Sequence, residues 1–158
     1  MKYRIGFGYD VHQLKDGEDL MLGGIHLEHH RGTVGHSDAD ALIHAICDAL
    51  LGAANLGDIG QHFPDTSSDF KNIDSKLLLK EVIGLIHKEG YNIGNIDCTV
   101  CLENPKLAPH IDAMKEAISK VMGISSGDIS IKATTNERMG FVGREDGVAA
   151  YAVALIGP

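Results

Sequence analysis

The run Tyr3-Arg4-Ile5-Gly6-Phe7-Gly8-Tyr9-Asp10-Val11-His12 reads as an opening strand, in which residues i and i+2 share a face. A polar turn over residues 15–19 follows, and 20–27, broken by Gly23-Gly24, reads as a short hairpin. Leu42, Ile46, Ala49, Leu50 and Ala53 recur at helical spacing and predict a helix over about 38–54, capped by Ser37 or Asp38. Residues 56–72, rich in Gly, Asp and Ser, form a long loop of a kind that points to function or motion. Asp74-Ser75 opens a second helix, with Leu78, Val82, Ile83 and Ile86 facing inward and Gly90 as its stop. A strand over 91–103, a helix over about 109–122 ending at Gly123, and a strand over 129–133 come next. The last strand, 148–156, is so evenly apolar that it is expected to be covered on both faces. This order predicts one α+β domain spanning 1–158, a mixed sheet with helices packed on one face.

Candidate chemistry starts with Asp10 and His12, which the strand period aims at one ion. His44, on the first helix, can supply a third ligand. Two imidazoles and one carboxylate suit Zn²⁺, and three protein ligands leave a position open, as in a catalytic site. Isolated histidines are more often satisfied surface or core groups; the spacing singles these out. Asp40, His44 and Asp48 lie at i, i+4 and i+8, so one of the two acids is expected to support the second ring nitrogen of His44. The competing reading is a solvated acidic stripe.

Composition narrows the field. Against 14 basic residues stand 22 acidic ones, a net charge of −8, which disfavours a broad nucleic-acid surface. No apolar run approaches the ~20 residues of a membrane span, and the Asp-x-His motif begins too early for a signal peptide to precede it. A cytoplasmic enzyme is expected, or a plastid-type one if a transit peptide has been removed. Three cysteines do not make a disulfide framework. Cys98 and Cys101 resemble a Cys-x-x-Cys motif, but residues three apart on a strand point to opposite faces, which leaves core or half-buried thiols. His29-His30 reads as part of a solvated loop.

Motifs along the whole chain resemble one family. Asp10-Val11-His12, His36-Ser37-Asp38-Ala39-Asp40-Ala41-Leu42-Ile43-His44-Ala45, Gly57-Asp58-Ile59-Gly60, Phe63-Pro64-Asp65-Thr66, Pro105-Lys106, Lys132-Ala133-Thr134-Thr135 and Gly140-Phe141-Val142-Gly143-Arg144 occur in order. Together they are similar to the 2-C-methyl-D-erythritol 2,4-cyclodiphosphate synthases of the non-mevalonate isoprenoid pathway. The resemblance implies a homotrimer with active sites between subunits. It implies cyclisation of 4-diphosphocytidyl-2-C-methyl-D-erythritol 2-phosphate with release of CMP, an intramolecular phosphoryl transfer needing no protein nucleophile.

By the same resemblance Zn²⁺ sits on Asp10, His12 and His44, and Glu137 helps hold a second cation, Mg²⁺ or Mn²⁺, with the substrate phosphates. His36 and Thr135 steady the transition state, and Val11 and Ser37 join the phosphate contacts. Asp58, Ile59, Gly60, Phe63, Pro64, Asp65, Thr66 and Ser67 match the methylerythritol site. Leu102, Glu103, Asn104, Pro105, Lys106, Leu107 and Ala108 match the CMP pocket, beside Thr134, Thr135 and Asn136. Phe141 and Arg144 complete the substrate contacts. One position departs: Tyr151 stands where several members carry a glutamate at the mouth of a threefold cavity. Arg144 is therefore expected to form a less compensated anion site there, open to a prenyl diphosphate or another anion. Two other classes fit the residues less well: a metal-dependent phosphohydrolase acting on a nucleotide diphosphate, and a zinc-stabilised nucleotide-binding module.

Overall fold

The computed structural model describes residues 2–64 and 72–158; Asp65, Thr66 and Ser67 of the expected methylerythritol set, and that part of the long loop, lie outside them. In chain order the elements are β1 (Arg4–Asp16), β2 (Leu20–Leu22), β3 (Ile25–Leu27), β4 (Arg31–Val34), α1 (Ala41–Ala54), α2 (Ile59–His62) and α3 (Ser75–Lys88). They continue with β5 (Asn92–Cys101), α4 (Ile111–Met122), β6 (Ile129–Thr134), α5 (Gly140–Gly143) and β7 (Gly147–Gly157). Five strands form one mixed sheet in the order β4-β1-β7-β5-β6, with β5 and β6 parallel and the other neighbours antiparallel. β2 and β3 make the separate hairpin that Gly23-Gly24 predicted.

Gly6 and Gly8 face α1. A Cβ on Gly6 would lie 1.8 Å from the Ala49 carbonyl oxygen, and one on Gly8 1.9 Å from that of Ala45. Strand and helix therefore touch backbone to backbone. On the same side β7 contributes Val148, Ala150, Ala152, Ala154 and Ile156, and α1 buries Leu42, Ile46, Ala49, Leu50 and Ala53 as its period predicted. α3 packs behind α1, and α4 against α3 and β6. Cys98 is buried and Cys101 half-buried, in keeping with opposite faces of β5.

The other face of the sheet is bare. Tyr3, Ile5, Phe7, Tyr9, Val11, Tyr151 and Val153 line it, each between 37% and 72% exposed. Within one chain β7 is thus covered on one side only, which corrects the expectation of two. Its even apolarity arises because its outer side chains join the aromatic and aliphatic row of β1; Tyr151 lies 5.1 Å from Tyr9, ring to ring.

Two boundaries also differ, and β4, α2 and α5 are additions to the expected elements. β1 runs on to Asp16 because its second half pairs with β4, from Gln13↔Val34 to Asp16↔Arg31; β4 is a short edge strand with little apolar pattern of its own. α1 begins at Ala41 and its cap is Asp40, whose carboxylate accepts from Ile43 N at 3.0 Å. Ser37 and Asp38 are engaged elsewhere. Asp40 also takes the N–H groups of Gly23 (2.9 Å) and Gly24 (2.6 Å), tying the β2–β3 turn to the helix. Burial pushes its carboxyl upward, against those three N–H donors.

Candidate functional site

The inner-face register that places Gly6 and Gly8 against α1 continues to Asp10 and His12, just beyond the helix start, where His44 projects from its first turn. The three side chains converge. Asp10 Oδ2 lies 3.0 Å from His12 Nε2 and 3.0 Å from His44 Nδ1, and the two nitrogens are 3.1 Å apart. A tetrahedral ion with ligand bonds of about 2.0–2.1 Å needs donor–donor edges of about 3.3–3.4 Å. This near-equilateral triangle, half-buried and one-sided, fits such an ion with a vertex left free. Among the described residues it is the one Asp/His/Cys/Glu group with this convergence.

Both imidazoles are oriented from behind. His12 Nδ1 donates to the Val34 carbonyl at 2.9 Å, which leaves Nε2 as the donor atom facing the triangle. His44 Nε2 points away from the triangle, towards Ser75 Oγ (2.9 Å) and Ser37 Oγ (3.1 Å). Neither acid expected behind His44 is there: Asp40 caps α1, and Asp48 accepts from Ile59 N at 2.8 Å to fix the start of α2. On an i±4 row both acids share the His44 stripe, but the ring extends away from the helix surface towards the first turn of α3. Ser75 carried no sequence signal beyond its place at a helix start.

Burial works against the charge of Asp10, yet the hydrogen bonds and positive fields of His12 and His44 hold its carboxyl down at about 2. Burial also disfavours imidazolium at His12, but the Asp10 hydrogen bond and charge, with help from the Val34 carbonyl, raise it above its usual 6.5.

The triangle opens into a cleft of about 550 Å³ lined by Asp10, His12, His36, Ser37, His44, Ile59, Gly60, Phe63, Pro64 and Leu78. Leu78, from α3, is an addition: its helical period marked it only as core. Val11 points its side chain to the outer face, so only its backbone can reach this cleft. Asp58 caps α2, its Oδ1 accepting from Gln61 N at 3.0 Å and its Oδ2 from the Gln61 amide.

The remaining expected residues gather in a different place. Glu103, Asn104, Lys106, Thr135, Glu137, Arg138, Gly143 and Glu145 line a second cleft of about 660 Å³. Leu102, Lys106, Leu107, Ala108, Ala133, Thr134 and Thr135 line a smaller one of about 170 Å³. Lys106 and Thr135 belong to both, and neither shares a lining residue with the metal cleft. Glu103 anchors the loop between them by accepting from Asn136 N (2.8 Å) and Arg138 N (3.3 Å). Glu137 and Arg138 both adopt positive φ, 52° and 63°, a costly backbone for side chains of this size. The Thr135 hydroxyl donates to Glu137 at 3.3 Å. Phe141, from α5, is exposed at the end of this loop system. At Arg144, expected to be less compensated because Tyr151 replaces a glutamate, Nε donates to Asp146 Oδ2 at 2.9 Å, so one acid from two residues along the chain stands beside it.

A relative in Bacteroides fragilis named 2-C-methyl-D-erythritol 2,4-cyclodiphosphate synthase is 62% identical over 156 residues, covering 99% of this chain and 98% of its own. The bifunctional IspDF of Campylobacter jejuni superposes with a TM-score of 0.94 at 38% identity, over 98% of this chain and 42% of that one. An IspF of Plasmodium falciparum in complex with CDP gives 0.87 at 34% identity, over 99% and 96%. The YgbB family profile matches residues 3–157, and the chain belongs to the YgbB family.

Proposed function

We propose that the chain is a cyclodiphosphate synthase: it converts 4-diphosphocytidyl-2-C-methyl-D-erythritol 2-phosphate to 2-C-methyl-D-erythritol 2,4-cyclodiphosphate and CMP, in non-mevalonate isoprenoid synthesis. The observation that carries this reading is the one-sided Asp10–His12–His44 triangle opening on a cleft with His36 and Ser37 at its wall. Full-length identity to relatives named for this activity supports it. An oxygen of the 2-phosphate attacks the β-phosphorus; a new P–O bond forms, the bond to the bridging oxygen breaks, and CMP leaves with that electron pair. Both partners are anions, so the protein's tasks are to neutralise charge and hold an in-line approach.

The triangle's donors would hold Zn²⁺, which when bound supplies Lewis-acid polarisation of a β-phosphate oxygen. Glu137 would share Mg²⁺ or Mn²⁺ with the phosphates, as hard cations commonly use one carboxylate plus substrate oxygens. His36 and Thr135 donate to oxygens on which charge accumulates. Asp58, Ile59, Gly60, Phe63 and Pro64, with Asp65, Thr66 and Ser67, enclose the methylerythritol portion. The residues from Leu102 to Ala108, with Lys106 as the cation, and Thr134, Asn136, Phe141 and Arg144 receive CMP and its phosphate.

Metal and CMP residues occupy separate clefts of one chain, and the sheet's outer face is an exposed apolar field. Both features support a homotrimer in which those outer faces meet and a neighbour's CMP loop completes each metal cleft. A prenyl diphosphate or other anion near Arg144 would share the guanidinium with Asp146, which already takes its Nε–H, and the reaction does not require it. A cytoplasmic setting agrees with the described residues, where no helix is long and apolar enough to cross a membrane.

Incubation with the diphosphocytidyl substrate, Zn²⁺ and Mg²⁺, followed by mass spectrometry, should give CMP and the cyclic diphosphate in equal amounts. An acyclic phosphate product would mean hydrolysis, and no turnover at all would leave a nucleotide-binding module.

A further inference from the structure

Behind His44 lies a part-buried chain of hydrogen bonds through Ser75 and Asp38, neither of them an expected ligand or substrate contact. Ser75, wholly buried in the first turn of α3, places its Oγ 2.9 Å from His44 Nε2. The same hydroxyl donates to Asp38 Oδ1. Asp38 is an acceptor throughout: its Oδ2 takes Ser75 N at 3.0 Å and its Oδ1 takes Asp40 N at 3.2 Å. Its own backbone N–H donates to Ile73 O at 3.0 Å, and Asn72 N donates to His36 O at 2.8 Å. The strand-like seam between 36–38 and 72–75 thus holds the two side chains in register.

The donor inventory fixes the direction of this chain. A hydroxyl has one proton, and a hydroxyl-to-carboxylate bond is stronger than a hydroxyl-to-imidazole one. Once Ser75 gives its proton to Asp38, its oxygen can only accept from His44, so His44 Nε2 must carry a hydrogen. Ser37 Oγ already accepts from Ala39 N at 3.2 Å and offers the same Nε2–H a second acceptor. His44 Nδ1, 3.0 Å from Asp10 Oδ2, is then the nitrogen left for the triangle once an ion takes the place of any proton it shares with that carboxylate.

Resting on the reading of the triangle as a metal centre, we propose that Ser75 and Asp38 are positioning residues that set the tautomer and ring orientation of His44 for metal binding. The mirror device on the other side is simpler, since the Val34 carbonyl alone sets His12. A carboxylate acting through an intervening hydroxyl raises the basicity of the ligand without placing a second negative charge beside Asp10.

Nitrogen-15 NMR of the imidazoles in the metal-free protein tests the relay directly. His44 Nε2 should be protonated in the wild type, and an Nδ1–H tautomer with bare Nε2 would overturn the proposal whatever any variant does. In Ser75→Ala the Nδ1–H form should appear, and zinc affinity by chelator competition should fall roughly 10- to 100-fold with the circular dichroism spectrum kept. Affinity within twofold of the wild type, with Nε2 still protonated, would also overturn it. If wild-type protein binds no zinc at the triangle, the metal-centre reading fails, while the tautomer measurement still decides the relay.

Discussion

Asp10 and His12 shift each other's protonation in opposite directions, and the metal-free protein should show it. Asp10 titrates at about 2 in the fold against an ordinary 3.8, so its contribution is present above 3.8 and lost as pH falls towards about 2. His12 is raised above 6.5, so its contribution is complete below 6.5 and lost as pH climbs through the raised value. Calorimetry with chelator present should therefore give a melting temperature that is highest between about pH 4 and 6.5 and declines on both sides. His12→Phe should flatten the alkaline limb. Zinc affinity should run the other way, rising with pH as the ion replaces the His12 proton. A wild-type melting temperature unchanged from pH 6.5 to 8 would break the link. The triad itself was legible because ligation demands particular residue types and the strand period says which of them share a face. The Ser75–Asp38 support was not: it joins residues 37 apart through a serine that any helix start would accept.

The contact between β1 and α1 has no room for a methyl group. Gly8→Ala would drive a Cβ to within 1.9 Å of the Ala45 carbonyl, where backbone rather than a movable side chain stands in the way. Overpacking of this kind costs about 1–3 kcal/mol or more, read as a lower denaturation midpoint. Gly84→Ala is the counter-case: it sits in α3 with nothing within 4 Å of the new methyl, and should stabilise by roughly 0.5–1 kcal/mol. Equal effects of the two would show that the glycine row on β1 has no packing role. Helix and strand identities followed from periodicity, including the hairpin at Gly23-Gly24. What escaped were β4 and the far half of β1, since an edge pair with polar outer positions has no strong pattern, and α2 and α5, read as loop because four residues are too few to show a helical period. The cap at Asp40 was missed because its choice over Asp38 depends on Gly23 and Gly24, which approach only in the folded chain.

For the proposed trimer, the separation of the metal cleft from the proposed CMP clefts gives a test by mixing. A His12→Ala chain lacks the metal half of its site, and a chain altered at both Lys106 and Thr134 lacks the CMP half. Refolded together in equal amounts, random trimers should have about one quarter of their sites built from two intact halves, and activity near that fraction of wild type. A monomer in sedimentation that is fully active alone would refute the shared site. At this scale the chain read from sequence alone points both ways: β7 looks covered on two faces, and a single subunit covers one. In the proposed trimer the second cover would come from a neighbouring chain, and a hydrophobic pattern does not distinguish that from cover by its own.

The glycine row on β1 also acts as a gauge for the ion. Asp10 and His12 ride on the strand and His44 on the helix, so the gap between those two layers sets how far apart the three donor atoms stand. Missing methyls at Gly6 and Gly8 keep that gap at backbone contact. Widening it would lengthen two edges of the triangle together and leave the Asp10–His12 edge alone, favouring a larger divalent cation over one that binds at about 2.0–2.1 Å. In the proposed metal centre the fit to one ion over another would thus rest partly on two residues that have no side chain to offer it.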